Sequence, residues 1–123
     1  MSDRHHSFLI NYPYVSGAQI FVYKDQKTNK LYFSANDVAY CLGFDPPHEA
    51  IRDFIPTDHI KKLPYTNGKF LDMQSIADFL FTLSNDKDRM LKVTIFRVWL
   101  RLCLEAYSSS SSPSDSNLLC NIR

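Results

Sequence analysis

The chain has 123 residues, of which 45% are apolar and 22% charged, a composition typical of one globular domain with a hydrophobic core. Its net charge of +1 excludes a uniformly basic protein, so any nucleic-acid surface must be a local patch. Residues 1–60 hold five Lys/Arg and seven Asp/Glu, whereas residues 61–107 hold eight and five. The excess of positive charge therefore lies in the second half.

Residues 18–33 predict a β-hairpin. AQIFVYK (18–24) and LYF (31–33) are strand-like, and the turn-rich DQKTNK lies between them. Residues 1–17 are interpreted as a partly ordered N-terminal segment, in which FLI (8–10) begins a strand.

The stretch LYFSANDVAYCLGF (31–44) predicts a strand that enters a short helix without a linker. Ser34 is a natural N-cap, and Asp37 stands at the capping-box position three residues later. Gly43 suits the left-handed position that ends a helix. The predicted apolar stripe of this helix comprises Val38, Ala39 and Leu42.

A second short helix follows at once. Asp45 is predicted as its N-cap, with Pro46 in the first helical position and Pro56 as its end. Residues 48–55 between them are amphipathic. The two helices meet across residues 43–45, a spacing similar to that of a helix-turn-helix.

A second hairpin is predicted over residues 60–72, with Asn67-Gly68 as its turn. Asp72 is the predicted N-cap of a third helix, whose apolar face carries Met73, Ile76, Leu80 and Leu83.

The fourth and longest helix is predicted over residues 86–106. Its predicted buried stripe is Leu91, Ile95, Val98 and Leu102, with Trp99 beside it as a core residue. The other sides carry Arg89, Lys92, Phe96, Arg97 and Arg101. The whole chain is thus predicted as one α+β domain over residues 18–107, with two short hairpins and about four helices, followed by a flexible serine-rich tail over residues 108–123.

The sequence contains no pattern typical of an enzyme, a cofactor site or a small-molecule site. P-loop, GxGxxG and HExxH motifs and metal-ligand spacing are absent. Cys41 with His48 could form a nucleophilic pair, but a core thiol beside a first-turn histidine explains them more simply. No enzymatic activity, metal or cofactor is predicted.

The cysteine count and the hydropathy of the sequence indicate in which cellular compartment the protein is located. The three cysteines, Cys41, Cys103 and Cys120, are odd in number and suit a reducing interior. No apolar run approaches the roughly 18 residues that a membrane span requires. We therefore predict an intracellular protein that does not bind a membrane.

Basic residues cluster on both predicted hairpins, where they could contact phosphates. Solvated turns are the competing explanation, because lysine is usually exposed in any protein. The cations of the fourth helix are better explained as residues on the solvent-exposed face of an amphipathic helix. The predicted nucleic-acid-binding residues are Lys24, Lys27, Lys30, Arg52, His59, Lys61, Lys62 and Lys69.

Several ordered motifs resemble the BRO-N family, the N-terminal domain of baculovirus repeated-ORF proteins, which is related to phage antirepressor-like domains. The resemblance covers residues 18–107. The segment FLDMQSIADFLF (70–81) is similar to the family's capped third helix. The other matching positions are Tyr32-Phe33, Ala35, Asp37-Val38-Ala39, Leu42-Gly43-Phe44, Ala50-Ile51, Ile55 and Phe96-x-x-Trp99-Leu100.

The resemblance implies a small α+β domain of a viral protein that binds double- or single-stranded DNA and regulates viral or host transcription or replication. It implies a location in the host nucleus or cytoplasm and no catalytic residues. The chain departs from the family pattern at DPPHE (45–49), where family members usually carry several Lys/Arg. Fewer phosphate contacts predict weaker, salt-sensitive binding. The alternative is a protein-interaction module that forms a homodimer or binds a host protein without binding DNA.

Overall fold

The computed structural model describes residues 5–64 and 66–109, and these form the predicted α+β fold. The described residues contain one four-stranded antiparallel sheet, four α-helices and a short 3-10 helix. The strands are β1 (His5–Asn11), β2 (Gln19–Asp25), β3 (Leu31–Ser34) and β4 (Phe70–Leu71). The helices are α1 (Ala35–Cys41), α2 (Pro47–Phe54), the 3-10 turn Thr57–His59, α3 (Met73–Leu83) and α4 (Lys87–Ser109). Apart from the end of α4, the predicted serine-rich tail lies outside the described residues.

The sheet has the strand order β1-β2-β3-β4. The hairpin predicted over residues 18–33 is confirmed as β2 and β3. The N-terminal segment adds β1, which pairs with β2 from His5↔Asp25 to Asn11↔Gln19. A row of apolar side chains crosses the core face of the sheet through the paired residues Phe8, Val22, Phe33 and Leu71. This face is covered by the helices, because Val22, Phe33 and Leu71 are fully buried.

The second hairpin is smaller than predicted. Lys61 and Phe70 form a single bridge, in which their N–H groups donate to each other's carbonyl oxygens at 2.7 and 3.1 Å. β4 pairs with β3 instead, at Phe33↔Leu71 and Ser34↔Phe70. The Thr66 N–H donates to the Leu63 carbonyl at 3.3 Å, so the chain turns shortly after that bridge and the ladder extends no further.

The junction between β3 and α1 confirms the predicted cap and changes the role of Asp37. The Ser34 hydroxyl accepts a hydrogen bond from the Asp37 N–H at 3.4 Å. The Asp37 carboxylate does not complete a capping box; it accepts the Phe21 N–H of β2 at 2.9 Å. The pairing of β2 with β3 stops at Val22↔Phe33, so Phe21 has no strand partner on this side. Gly43 has the predicted positive φ, at 99°.

Helix α2 begins one residue later than predicted. Pro46 is its N-cap and Pro47 its first residue, so Asp45 is not the cap. The ring of Pro47 disfavours helical geometry at the preceding residue, and Pro46 is accordingly extended, with φ −80° and ψ 145°. The rest of α2 agrees with the prediction: Ala50 and Ile51 are buried, and the helix ends before Pro56.

Helix α3 carries the predicted cap, because the Asp72 carboxylate accepts the Ser75 N–H at 2.9 Å. Its buried residues are Ser75, Ile76, Phe79, Leu80 and Leu83. Met73, which was predicted on the apolar face, is 40% exposed.

Helix α4 buries a different face from the one predicted. Leu91, Val98 and Leu102 are 69%, 52% and 54% exposed, whereas Phe96 is fully buried. Trp99 is in the core as predicted, with its ring centre 4.8 Å from that of Tyr12. The sequence offers two apolar sets at helical spacing, and periodicity alone cannot choose between them. The buried set is Val93, Phe96, Trp99, Leu100 and Cys103.

Candidate nucleic-acid interface

Three of the eight predicted basic residues meet in one cleft of about 430 Å³, which we call the basic cleft. Arg52 comes from α2, Lys62 follows the 3-10 turn, and Lys69 precedes β4. They come from three neighbouring segments of the chain, and the fold brings them together at one cleft. The rest of the lining is Ile51, Ile55, Thr57 and Ile60.

The basic cleft combines an apolar floor with exposed cations. Ile51 and Ile55 are buried, because they belong to the core-facing side of α2. Arg52 pairs with Asp53 at 3.0 Å, and this hydrogen bond and the Asp53 charge raise the pKa of the guanidinium. Among the described residues, Lys62 and Lys69 take part in no ion pair. Two unpaired ammonium groups at one cleft can bind an anion such as a phosphate.

Two other predicted cations lie close to Asp72, the N-cap of α3. Lys30 lies 3.5 Å from the Asp72 carboxylate. Burial raises the pKa of Asp72, but hydrogen bonds from Ser75 and the charges of Lys61 and Lys30 outweigh it, so the pKa lies below its ordinary value. Lys30 therefore has an ion-pair partner and is less available to a phosphate than Lys62 and Lys69, whereas Lys61 forms no ion pair with a described residue but does not line the basic cleft.

Lys24 and His59 are also engaged within the fold. The Lys24 ammonium lies 5.5 Å from the centre of the Tyr107 ring. His59 Nδ1 is 4.0 Å from the Asp78 carboxylate, and the His59 carbonyl accepts the Ser75 hydroxyl at 3.2 Å. The structure thus separates these two residues from the basic cleft.

Lys27 lies at a second cleft, of about 720 Å³, which we call the aromatic cleft. Tyr32 is half-buried there, and the Lys30 ammonium lies 5.9 Å from the centre of its ring. The two clefts share one chain segment: Lys62 lines the basic cleft, and the next two residues line the aromatic one. The full lining is Tyr23, Asp25, Gln26, Lys27, Tyr32, Leu63 and Pro64.

The aromatic cleft was not predicted from the sequence, although the sequence contains a signal for it. Strand residues alternate between the two faces of a sheet, so Phe21 and Tyr23 must face away from Ile20 and Val22. Tyr32 pairs with Tyr23 and shares its face. An aromatic face opposite the core face of a hairpin is the pattern that could have identified this surface.

Cys41 and His48, the nucleophilic pair considered from the sequence, differ in burial. Cys41 is buried, and burial together with the Asp37 charge raises the pKa of its thiol to about 12. His48 is exposed on α2. A buried thiol with a raised pKa is a poor nucleophile at neutral pH, so Cys41 serves as a core residue. Among residues 5–64 and 66–109, no three His, Cys, Asp or Glu side chains group as metal ligands would, and no helix is long and apolar enough to cross a bilayer.

Two cations of α4 contact the residues that follow the C-terminal end of α1. The Arg89 guanidinium lies 4.2 Å from the centre of the Phe44 ring and 3.2 Å from Asp86. Lys92 lies over Gly43, so that a Cβ added at Gly43 would stand 2.8 Å from its ammonium nitrogen. Arg97 and Arg101 instead line a groove between α3 and α4.

Comparison with protein-family models, with curated proteins and with solved structures found no match for this chain.

Proposed function

We propose that this protein binds nucleic acid through the basic cleft, as a BRO-N-like regulator of viral or host transcription or replication. The observation that supports the proposal is the convergence of Arg52, Lys62 and Lys69, from three separate stretches of chain, on one open cleft. Binding would be electrostatic, with phosphates at the ammonium groups and little reading of base edges.

The aromatic cleft favours a single strand over a duplex. Aromatic side chains beside a basic groove stack unpaired bases, which a duplex does not present. Lys62 and the next two residues join the two clefts, so a strand whose phosphates lie at Lys62 and Lys69 can bring a base to Tyr32. We therefore expect Tyr32→Ala to weaken binding to single strands more than binding to duplexes.

The test is fluorescence anisotropy with labelled single- and double-stranded DNA at several salt concentrations. Replacing both Lys62 and Lys69 by Ala removes two phosphate contacts. The log–log salt slope should then fall by about 1.4 on single strands and about 1.8 on duplexes.

A matched control replaces Lys87 and Lys92, two exposed lysines of α4 that lie outside both clefts, by Ala. It removes the same charge and should leave most of the slope intact. If the two double variants lose affinity equally, binding follows net charge and the basic cleft has no special role. If the unaltered chain binds neither DNA form at low salt, the proposed function is wrong.

A further inference from the structure

Helices α3 and α4 leave an apolar groove of about 620 Å³ between them, on a different side of α3 from the residues that face α2. We call it the α3–α4 groove. Its floor is formed by buried core residues, and Met73 on its edge is 40% exposed. The apolar residues that line it are Met73, Ile76, Ala77, Leu80, Leu100 and Leu104.

One edge of the α3–α4 groove is positively charged. Arg97 and Arg101 stand one helical turn apart on α4. Arg101 pairs with Glu105 at 3.5 Å, with both side chains more than half exposed, so this pair is weak. Arg97 forms no ion pair with any described residue. The edge therefore carries a net positive charge that nothing in the described fold neutralises.

We propose that the α3–α4 groove binds an amphipathic helix of a partner protein, whose apolar stripe is flanked by Asp or Glu. From Arg97 to Glu105 the edge runs about 12 Å, or two helical turns, at 1.5 Å per residue. That length accepts apolar residues at i, i+4 and i+7, the usual pattern of a helix in a groove. Carboxylates beside the stripe would reach the two guanidinium groups, which suit bidentate pairing.

Charge argues for this partner over a second copy of the chain. The exposed apolar helix face that a second copy could insert is the outer side of α4, formed by Leu91, Val98 and Leu102. Side chains of both signs flank that face on α4, because Lys87, Asp88, Arg101 and Glu105 each stand three or four residues from one of its members. Inserting it would bring cations as well as carboxylates towards Arg97 and Arg101 of the first copy, and the cations would be repelled. A helix flanked only by carboxylates has no such conflict.

The probes are two fluorescein-labelled synthetic helices with the same leucine stripe, one with Glu and one with Lys at its flanking positions. Anisotropy titration of the full chain should show at least tenfold tighter binding of the Glu helix. Replacing both Arg97 and Arg101 by Glu should reverse that preference. Ala77→Trp should fill the α3–α4 groove and weaken the Glu helix at least tenfold.

Two controls separate the groove from the general surface. Leu91→Trp places the same bulk on the exposed side of α4 outside the groove and should leave the affinity within twofold. The double variant with Lys62 and Lys69 replaced by Ala should also bind the Glu helix normally, which keeps this test independent of the proposed nucleic-acid binding.

Three results would overturn the proposal. The first is equal affinity for the two helices, and the second is binding of neither. The third is a dimer in light scattering that Ala77→Trp dissociates, which would assign the groove to a second copy.

Discussion

The β3–α1 junction and the outer side of α4 differ in whether their side chains are hydrogen-bonded and buried or exposed to solvent. At the junction, the Ser34 hydroxyl and the Asp37 carboxylate each accept a backbone N–H, and Val38 and Leu42 are buried. On the outer side of α4, the large apolar side chains of Leu91, Val98 and Leu102 are exposed.

This difference separates residues that hold the fold from residues that are free to bind. Removing a satisfied, buried group leaves its partner unsatisfied, so substitutions at the junction should cost stability. Substitutions on an exposed face usually change stability by less than about 0.5 kcal/mol. The outer side of α4 can therefore vary for binding without loss of the fold.

The largest expected contrast is within α4 itself. Phe96→Ala should lower the free energy of unfolding by about 3–5 kcal/mol, because Phe96 is fully buried. Leu91→Ala, at a residue 69% exposed, should change it by less than about 0.5 kcal/mol. Urea unfolding followed by circular dichroism measures both. A larger loss in Leu91→Ala than in Phe96→Ala would mean that α4 buries the face predicted from the sequence, and equal losses would contradict the burial of Phe96 over Leu91.

The next effect concerns the bond between α1 and β2. Asp37→Ala leaves the Phe21 N–H without its acceptor and should cost about 1–3 kcal/mol. Hydrogen exchange at the Phe21 amide should accelerate in parallel. Asn36→Ala, at the exposed neighbouring position, is the control and should have little effect on either measurement. An unchanged exchange rate in Asp37→Ala would contradict the assigned bond.

A smaller contrast compares two glycines with positive φ. Gly17→Ala and Gly43→Ala should each cost about 1 kcal/mol for the backbone conformation. Gly43→Ala should cost only slightly more, because the Lys92 ammonium that its new Cβ would meet at 2.8 Å is the end of a flexible, exposed side chain that can move aside, whereas nothing lies within 4 Å at Gly17. In a Lys92→Ala background the excess should disappear in thermal unfolding. Persistence of the excess would show that the contact with Lys92 is not its cause.

The smallest effect is a pH dependence at Asp72. Its pKa is lower in the folded than in the unfolded state, so its stabilisation is complete above the unfolded pKa of about 4 and is lost as the pH falls through the lower folded value. Urea midpoints should decline below pH 4, and less steeply in Asp72→Asn. The same slope in both proteins would assign the decline to other carboxyl groups.

The sequence predicted the features that neighbouring residues decide. Ser34 and Asp72 cap the helices that follow them because the backbone N–H groups that donate to them lie three residues away. The Asp37 carboxylate accepts the Phe21 N–H because the pairing of β3 with β2 stops one residue short of Phe21. The capping-box spacing does not predict where that pairing stops. The buried face of α4 likewise depends on contacts with residues such as Tyr12, far away in sequence.

The candidate site was predictable in its residue types and partly in its grouping. The predicted second hairpin already carried Lys62 and Lys69, and the fold adds Arg52 of α2 to them in the basic cleft. Lys30 and Lys61 were equally plausible from the sequence, but Lys30 pairs with Asp72 and Lys61 does not line the cleft. Ion pairing between residues distant in sequence, such as Lys30 and Asp72, decides which cations can bind a phosphate, and no local sequence pattern predicts that pairing.

The sheet order β1-β2-β3-β4 also bears on how fast and in what order the chain folds. The first three strands are joined by the short links 12–18 and 26–30, so their pairing closes only small loops. β4 pairs with β3 across residues 35–69 and closes a much larger one. Because closing a larger loop costs more entropy, we expect the transition state for folding to contain the three-stranded meander before β4 joins it. Folding kinetics should then give high φ-values for Val22→Ala and low ones for Leu71→Ala.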